Sequence, residues 1–106
     1  MRRQKYGAIR TTVNGITFAS RAEARRYQAL LLLERAGEIR DLELQPAYPF
    51  VIKGILVGTY RADFRYRVPG QPVPVVEDVK GVRTPVYRLK AKLMQAIYGI
   101  TIQEVA

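Results

Sequence analysis

The stretch Val75-Val76-Glu77-Asp78-Val79-Lys80-Gly81 constrains this chain most. It reads as a β-strand that runs out of apolar residues just as it brings in carboxylates and a lysine. Strand side chains alternate between faces, so Val76, Asp78 and Lys80 point one way and Val75, Glu77 and Val79 the other. An acid and an ammonium group on one face of a strand end can hold a cation and a phosphate together. Asp63, within Tyr60-Arg61-Ala62-Asp63-Phe64, is the expected partner acid.

Composition narrows the chemistry. With 106 residues, of which 48% are hydrophobic, the chain predicts one domain with a modest core. Eighteen Lys and Arg stand against nine Asp and Glu, a formal charge of +9, which predicts a polyanionic partner, with nucleic acid first. There is no cysteine and no histidine. That excludes disulfides, a cysteine nucleophile, a histidine base and an ordinary zinc site. Hydrolysis would have to run on carboxylates, lysine, tyrosine or serine, with a hard cation that prefers oxygen. The opening Met1-Arg2-Arg3-Gln4-Lys5 leads into no signal-peptide core, and the aliphatic run Ala29 to Leu33 is too short to span a membrane. The expectation is a cytoplasmic protein with no membrane partner.

Along the chain, residues 1–6 form a basic arm and residues 7–18 a β-hairpin turning at Asn14-Gly15. Ser20 opens a helix over about 20–36 that Gly37 closes. Ser20 and Glu23 fit a capping box, yet Glu23 also shares the wheel face of Tyr27 and Leu30 that turns toward the sheet. An acid there needs a partner or a metal. Arg21, Arg25, Arg26 and Arg35 fall on other faces. Leu32 lies opposite, as a stray surface leucine or a subunit contact. Residues 38–44 alternate as a half-buried strand ended by Gln45-Pro46. A second hairpin, 48–52 with 55–66, follows, then the strand 73–80. Thr84-Pro85 starts a second helix over about 85–98, with Val86, Leu89, Leu93, Ala96 and Ile97 as its apolar stripe and Lys90 within it. Residues 100–105 make a last strand.

Phosphodiester hydrolysis needs a metal, and Mg²⁺ is usually held by one or two carboxylates, with waters and phosphate oxygens completing its shell. Asp63 and Asp78 supply that minimum, and Glu23 a third acid from the helix. Lys80 would orient or help deprotonate the attacking water. Strand parity selects Asp78 over Glu77, although a bulge would reverse the choice. Gln45, Glu77 and Ser20 are further candidates. Arg2, Arg3, Lys5, Arg21, Arg25, Arg61, Arg65, Arg83 and Lys90 are the candidate phosphate contacts.

Asp63 with Asp78-Val79-Lys80 resembles the PD-(D/E)xK nuclease signature, with Ala62 where a proline is usual. The order helix, three strands, helix, strand is similar to that superfamily's restriction-endonuclease-like αβββαβ core, here α/β with a mixed central sheet between two helices over residues 20–105. Glu23 matches its helix-borne acid. Lys5-Tyr6-Gly7-Ala8, Ser20-Arg21-Ala22-Glu23-Ala24-Arg25-Arg26-Tyr27 and Leu42-Glu43-Leu44-Gln45-Pro46 resemble stretches of small phage-encoded nucleases. Size, charge and motif order are similar to archaeal-type Holliday junction resolvases. The resemblance implies a Mg²⁺-dependent endonuclease, with Mn²⁺ able to substitute and no nucleotide cofactor, that cuts four-way DNA junctions as a homodimer. Other flap, nicking or general nucleases, and a catalytically silent DNA-binding module, are the alternatives.

Overall fold

The computed structural model describes residues 9–106; the basic arm and the start of the first hairpin lie outside them. Strands β1 (Thr11–Val13) and β2 (Ile16–Phe18) form the expected hairpin. Its turn needs two successive left-handed residues, Asn14 at φ 51° and Gly15 at φ 77°, the backbone that Asn-Gly adopts at least cost. Helix α1 (Arg21–Arg35) starts where Ser20 Oγ accepts from the Glu23 amide at 3.1 Å. Strands β3 (Arg40–Leu44), β6 (Phe64–Arg67), β7 (Val75–Val79) and β8 (Gln103–Val105) make a four-stranded sheet in the order β3-β6-β7-β8. Its first two pairings are antiparallel and β7-β8 is parallel, so the sheet is mixed. Between β3 and β6, β4 (Ala47–Ile52) and β5 (Ile55–Arg61) pair with each other and, among the described residues, with no other strand. Helix α2 (Pro85–Leu93) connects β7 to β8 and ends in a π-helical turn at Met94–Tyr98, closed by Gly99 at φ 67°.

The sheet is covered on both faces. On one, α1 and the β1–β2 hairpin bury Phe18, Ala24, Tyr27, Leu30, Phe64 and Tyr66. On the other, α2 and the β4–β5 hairpin bury Tyr48, Phe50, Tyr60, Val76, Tyr87 and Met94. Strand β7 serves both cores. Val75 and Val79 pack toward α1 and Val76 toward α2, as alternation requires.

Two expectations change. The strand anticipated over 55–66 breaks after Arg61, because β5 stays with the hairpin while β6 joins the main sheet. Tyr60 and Ala62 therefore enter the α2 core, and Phe64 and Tyr66 the α1 core. Helix α2 also turns a different side inward. Tyr87 and Met94 are buried, while Val86 and Leu89 are exposed at 62% and 59%. The aliphatic stripe loses because a tyrosine buries a larger apolar body and still finds a partner for its hydroxyl. Lys90 is half-buried beside the inward Tyr87–Met94 side and not within the expected stripe, and Leu32 is exposed. Among the described residues, no helix is long and apolar enough to cross a membrane.

Candidate active site

The break between β5 and β6 places Asp63. Its amide donates to the Glu77 carbonyl at 3.2 Å, and its own carbonyl accepts from the Gln45 amide at 3.0 Å. Its Oδ2 accepts from the Val79 amide at 2.7 Å, so the side chain reaches across to the end of β7. Asp78 arrives from β7 on the α2 face and is 4% exposed. Its Oδ2 accepts from the Tyr60 hydroxyl at 2.5 Å and faces Lys80 Nζ at 3.3 Å. Lys80 Nζ also lies 4.2 Å from the centre of the Tyr87 ring, a cation–π contact that holds the ammonium beside the acid. Glu23 comes down from the first turn of α1, buried.

These three acids sense one another. Burial pushes Asp63 up to about 8, helped by the neighbouring carboxylate of Asp78 and by the charge of Glu23, against the Val79 amide that pulls it down. Burial and then the charge of Asp78 raise Glu23, partly offset by a hydrogen bond with Asp63 and by Lys80. Burial also raises the Tyr60 hydroxyl, with Asp78 adding to it, so Tyr60 remains a hydrogen-bond donor.

The shift at Asp63 has a measurable consequence. Between the ordinary carboxylate range and about pH 8, the folded protein holds a proton there that the unfolded chain has released. Stability therefore falls as pH rises through that window. Thermal melts in chelator should show the melting temperature dropping by on the order of 10 °C from pH 5 to pH 8. Asp63→Asn should flatten that slope. An equally steep slope in the variant would place the proton elsewhere.

Glu77 has a different environment. It is fully buried, and Arg26 grips it with two bonds, Nε to Oε1 at 2.8 Å and Nη2 to Oε2 at 2.7 Å. The Tyr66 hydroxyl donates to the same carboxylate. Arg26, which the wheel turned away from the sheet, thus reaches over it to neutralise a buried acid.

The remaining candidates divide. Ser20, Arg21, Arg25 and Lys80 line one cavity of about 600 Å³, between the start of α1 and the end of β7. Gln45 lines a smaller one of about 170 Å³ with Glu23 and Asp63. Its φ of 52° turns the chain out of β3, and its carbonyl accepts from Arg61 Nη1 at 3.2 Å. Arg65 stands apart from the acids, bound to Glu43 and to the Tyr48 hydroxyl at 3.0 Å. The cavity of about 630 Å³ beside it contains none of the three acids. Arg83 pairs with Glu104 at 2.7 Å. Arg2, Arg3 and Lys5 lie outside the described residues.

Among the described residues, no three Asp, Glu, His or Cys side chains form a ready-made metal cluster. The donor set nonetheless suits a hard cation. It is oxygen only, and burial beside Asp78 raises Asp63, a cost that a bound cation would relieve.

Sequence reasoning missed Tyr60, Tyr87 and Arg26. The available signal was a chain with seven tyrosines and no histidine or tryptophan, in which tyrosine is the natural donor to buried acids. A family model described as "Protein of unknown function (DUF1064)" matches residues 3–103. No curated protein and no solved structure matches the chain.

Proposed function

The chain belongs to the DUF1064 family, proteins of unknown function, and we propose that it is a Mg²⁺-dependent DNA endonuclease. One observation carries the reading. Glu23 on α1 and Asp63 at the β5–β6 break line one small cavity and both feel the charge of Asp78 on β7, which pairs with Lys80 at 3.3 Å. A basic chain with those acids as mere surface ion pairs would have no reason to gather them against their mutual repulsion. The mixed sheet between α1 and α2 is compatible with a restriction-endonuclease-like core, with the β4–β5 hairpin inserted after its first strand.

In this reading Asp63 and Asp78 hold the cation, and Glu23 assists from the helix. Mg²⁺ bound there would neutralise the scissile phosphate and lower the pKa of an attacking water. Lys80, anchored by Asp78 and the Tyr87 ring, presents its ammonium to the water and to charge developing on phosphate. Arg21 and Arg25, along the adjoining cavity, are placed to take the neighbouring backbone phosphates. Mn²⁺ would substitute for Mg²⁺, and the chemistry calls for no nucleotide cofactor.

The substrate we favour is branched DNA, a four-way junction above all, cut by two copies of the chain because the junction has two-fold pseudosymmetry. The test is incubation with Mg²⁺ and labelled four-way junction, flap, linear duplex and single strand. Paired symmetric nicks confined to the junction are expected. Cutting of every substrate would keep the chemistry and overturn the specificity. Tight binding without cleavage under Mg²⁺ or Mn²⁺ would leave a silent DNA-binding module.

A further inference from the structure

The β4–β5 hairpin has two halves of opposite character. Its base is rooted: Tyr48, Phe50 and Tyr60 are buried, and the Tyr98 hydroxyl donates to the Pro49 carbonyl at 2.5 Å. Beyond the register shift between Phe50 and Val51, the hairpin leaves the body of the protein. There Val51, Ile52, Ile55, Leu56 and Val57 are 44–65% exposed. Residues 55, 56 and 57 are consecutive, so the apolar surface covers both faces of the ribbon. Among the described residues, neither strand pairs outside the hairpin, which leaves both edges open.

Proteins normally guard such edges with charge. This one does not: from Pro46 to Tyr60 the only charged residue is Lys53, at the turn. The five side chains offer on the order of 400 Å² of apolar surface, the size at which a patch on a monomer is usually functional. That area fits the apolar centre of an interface burying about 800 Å² per partner within a polar rim.

We propose that the distal β4–β5 hairpin is a self-association surface, and that its occupant is the same hairpin of a second copy across a two-fold axis. A second copy brings a matching apolar hairpin, uncharged but for Lys53 at its turn. Each chain carries +9, so two copies repel wherever their cations meet. Of the other exposed aliphatics, Val86 and Leu89 on α2 are interleaved with Arg88, Lys90 and Lys92, and Leu32 and Leu33 on α1 adjoin Glu34 and Arg35. The hairpin tip is where two such chains can touch with little repulsion. With Lys53 as its one cation, the tip equally disfavours a nucleic acid. This inference gives a contact for the two copies that the junction reading calls for, and it uses none of the residues assigned to cleavage.

Light scattering during gel filtration at micromolar concentration tests it. The wild-type chain, 12.1 kDa, should run at about twice that mass. Leu56→Glu should run as a monomer, with dimer affinity down at least about 100-fold. Leu89→Glu, equally exposed on α2, should stay dimeric. A monomeric wild type, a dimeric Leu56→Glu or a monomeric Leu89→Glu would each overturn the proposal. Crosslinking guards against a misfolded variant. The chain has no cysteine, so Ile55→Cys should oxidise to a covalent dimer and Leu89→Cys should not. The reverse pattern would move the interface to α2. Junction cleavage is read separately, so failure of either proposal is seen without the other.

Discussion

Asp63→Asn and Asp78→Asn are each expected to abolish Mg²⁺-dependent DNA cleavage and to leave DNA binding intact or tighter. The two aspartates are the carboxylates this reading gives the cation, and the chain has no histidine or cysteine to ligate it in their place. Electrostatic stabilisation by a bound metal is worth several kcal/mol, and about 1.4 kcal/mol is a tenfold rate change, so a loss of about a thousand-fold or more is expected. Binding should survive because the contacts to phosphate come from the arginines, and removing a carboxylate removes repulsion with DNA. Neither substitution should unfold the protein. An asparagine oxygen at position 63 still accepts from the Val79 amide, and one at position 78 still accepts from Tyr60. The pair is measured by single-turnover cleavage beside a binding isotherm on the same junction. Wild-type cleavage in either variant would show that the acids serve the fold and that hydrolysis, if present, occurs elsewhere.

Alternation along β7 was enough to separate Asp78 from Glu77. The strand is regular, both its faces are buried, and period-two parity therefore carries through to the real packing. The capping signals at Ser20 and Thr84 were legible for the same local reason, since each side chain bonds an amide three residues on. What could not be read was long-range. Nothing local to residues 55–66 says that the chain changes sheets at Ala62, because each half alternates acceptably and only the partners of β5 and β6 differ. The inward side of α2 was misjudged because a wheel weighs aliphatics, whereas this core is largely aromatic. Tyr87 enters it with its hydroxyl bound to Glu104 at 2.9 Å. The tyrosine–acid pairs, Tyr60 with Asp78 and Tyr66 with Glu77, join residues 18 and 11 positions apart, and no local periodicity links them.

The contrast between the adjacent acids of β7 yields the other large effect. Glu77 is 0% exposed and faces Arg26 at 2.7 Å, whereas Asp78 faces a lysine and the proposed cation. Arg26→Ala would leave a carboxylate in the α1 core with only the Tyr66 hydroxyl to bond it. Breaking one side of a buried ion pair costs about 3–5 kcal/mol, a large share of the 5–15 kcal/mol that holds a typical domain together. For a chain of this length the melting temperature should fall by about 15–30 °C. Adding Glu77→Gln to Arg26→Ala should restore much of that loss. The neutral amide is close in size, still accepts from Tyr66 and no longer strands a charge. The double variant should therefore be more stable than Arg26→Ala alone, an inversion that simple additive contacts cannot produce. Mg²⁺ affinity, followed calorimetrically below the melting range, should stay near wild type in the double variant, since Asp63 and Asp78 are untouched. If Arg26→Ala melts like the wild type, or if the double variant loses cation binding, Glu77 is part of the site, and parity along β7 assigned the wrong acid to the metal.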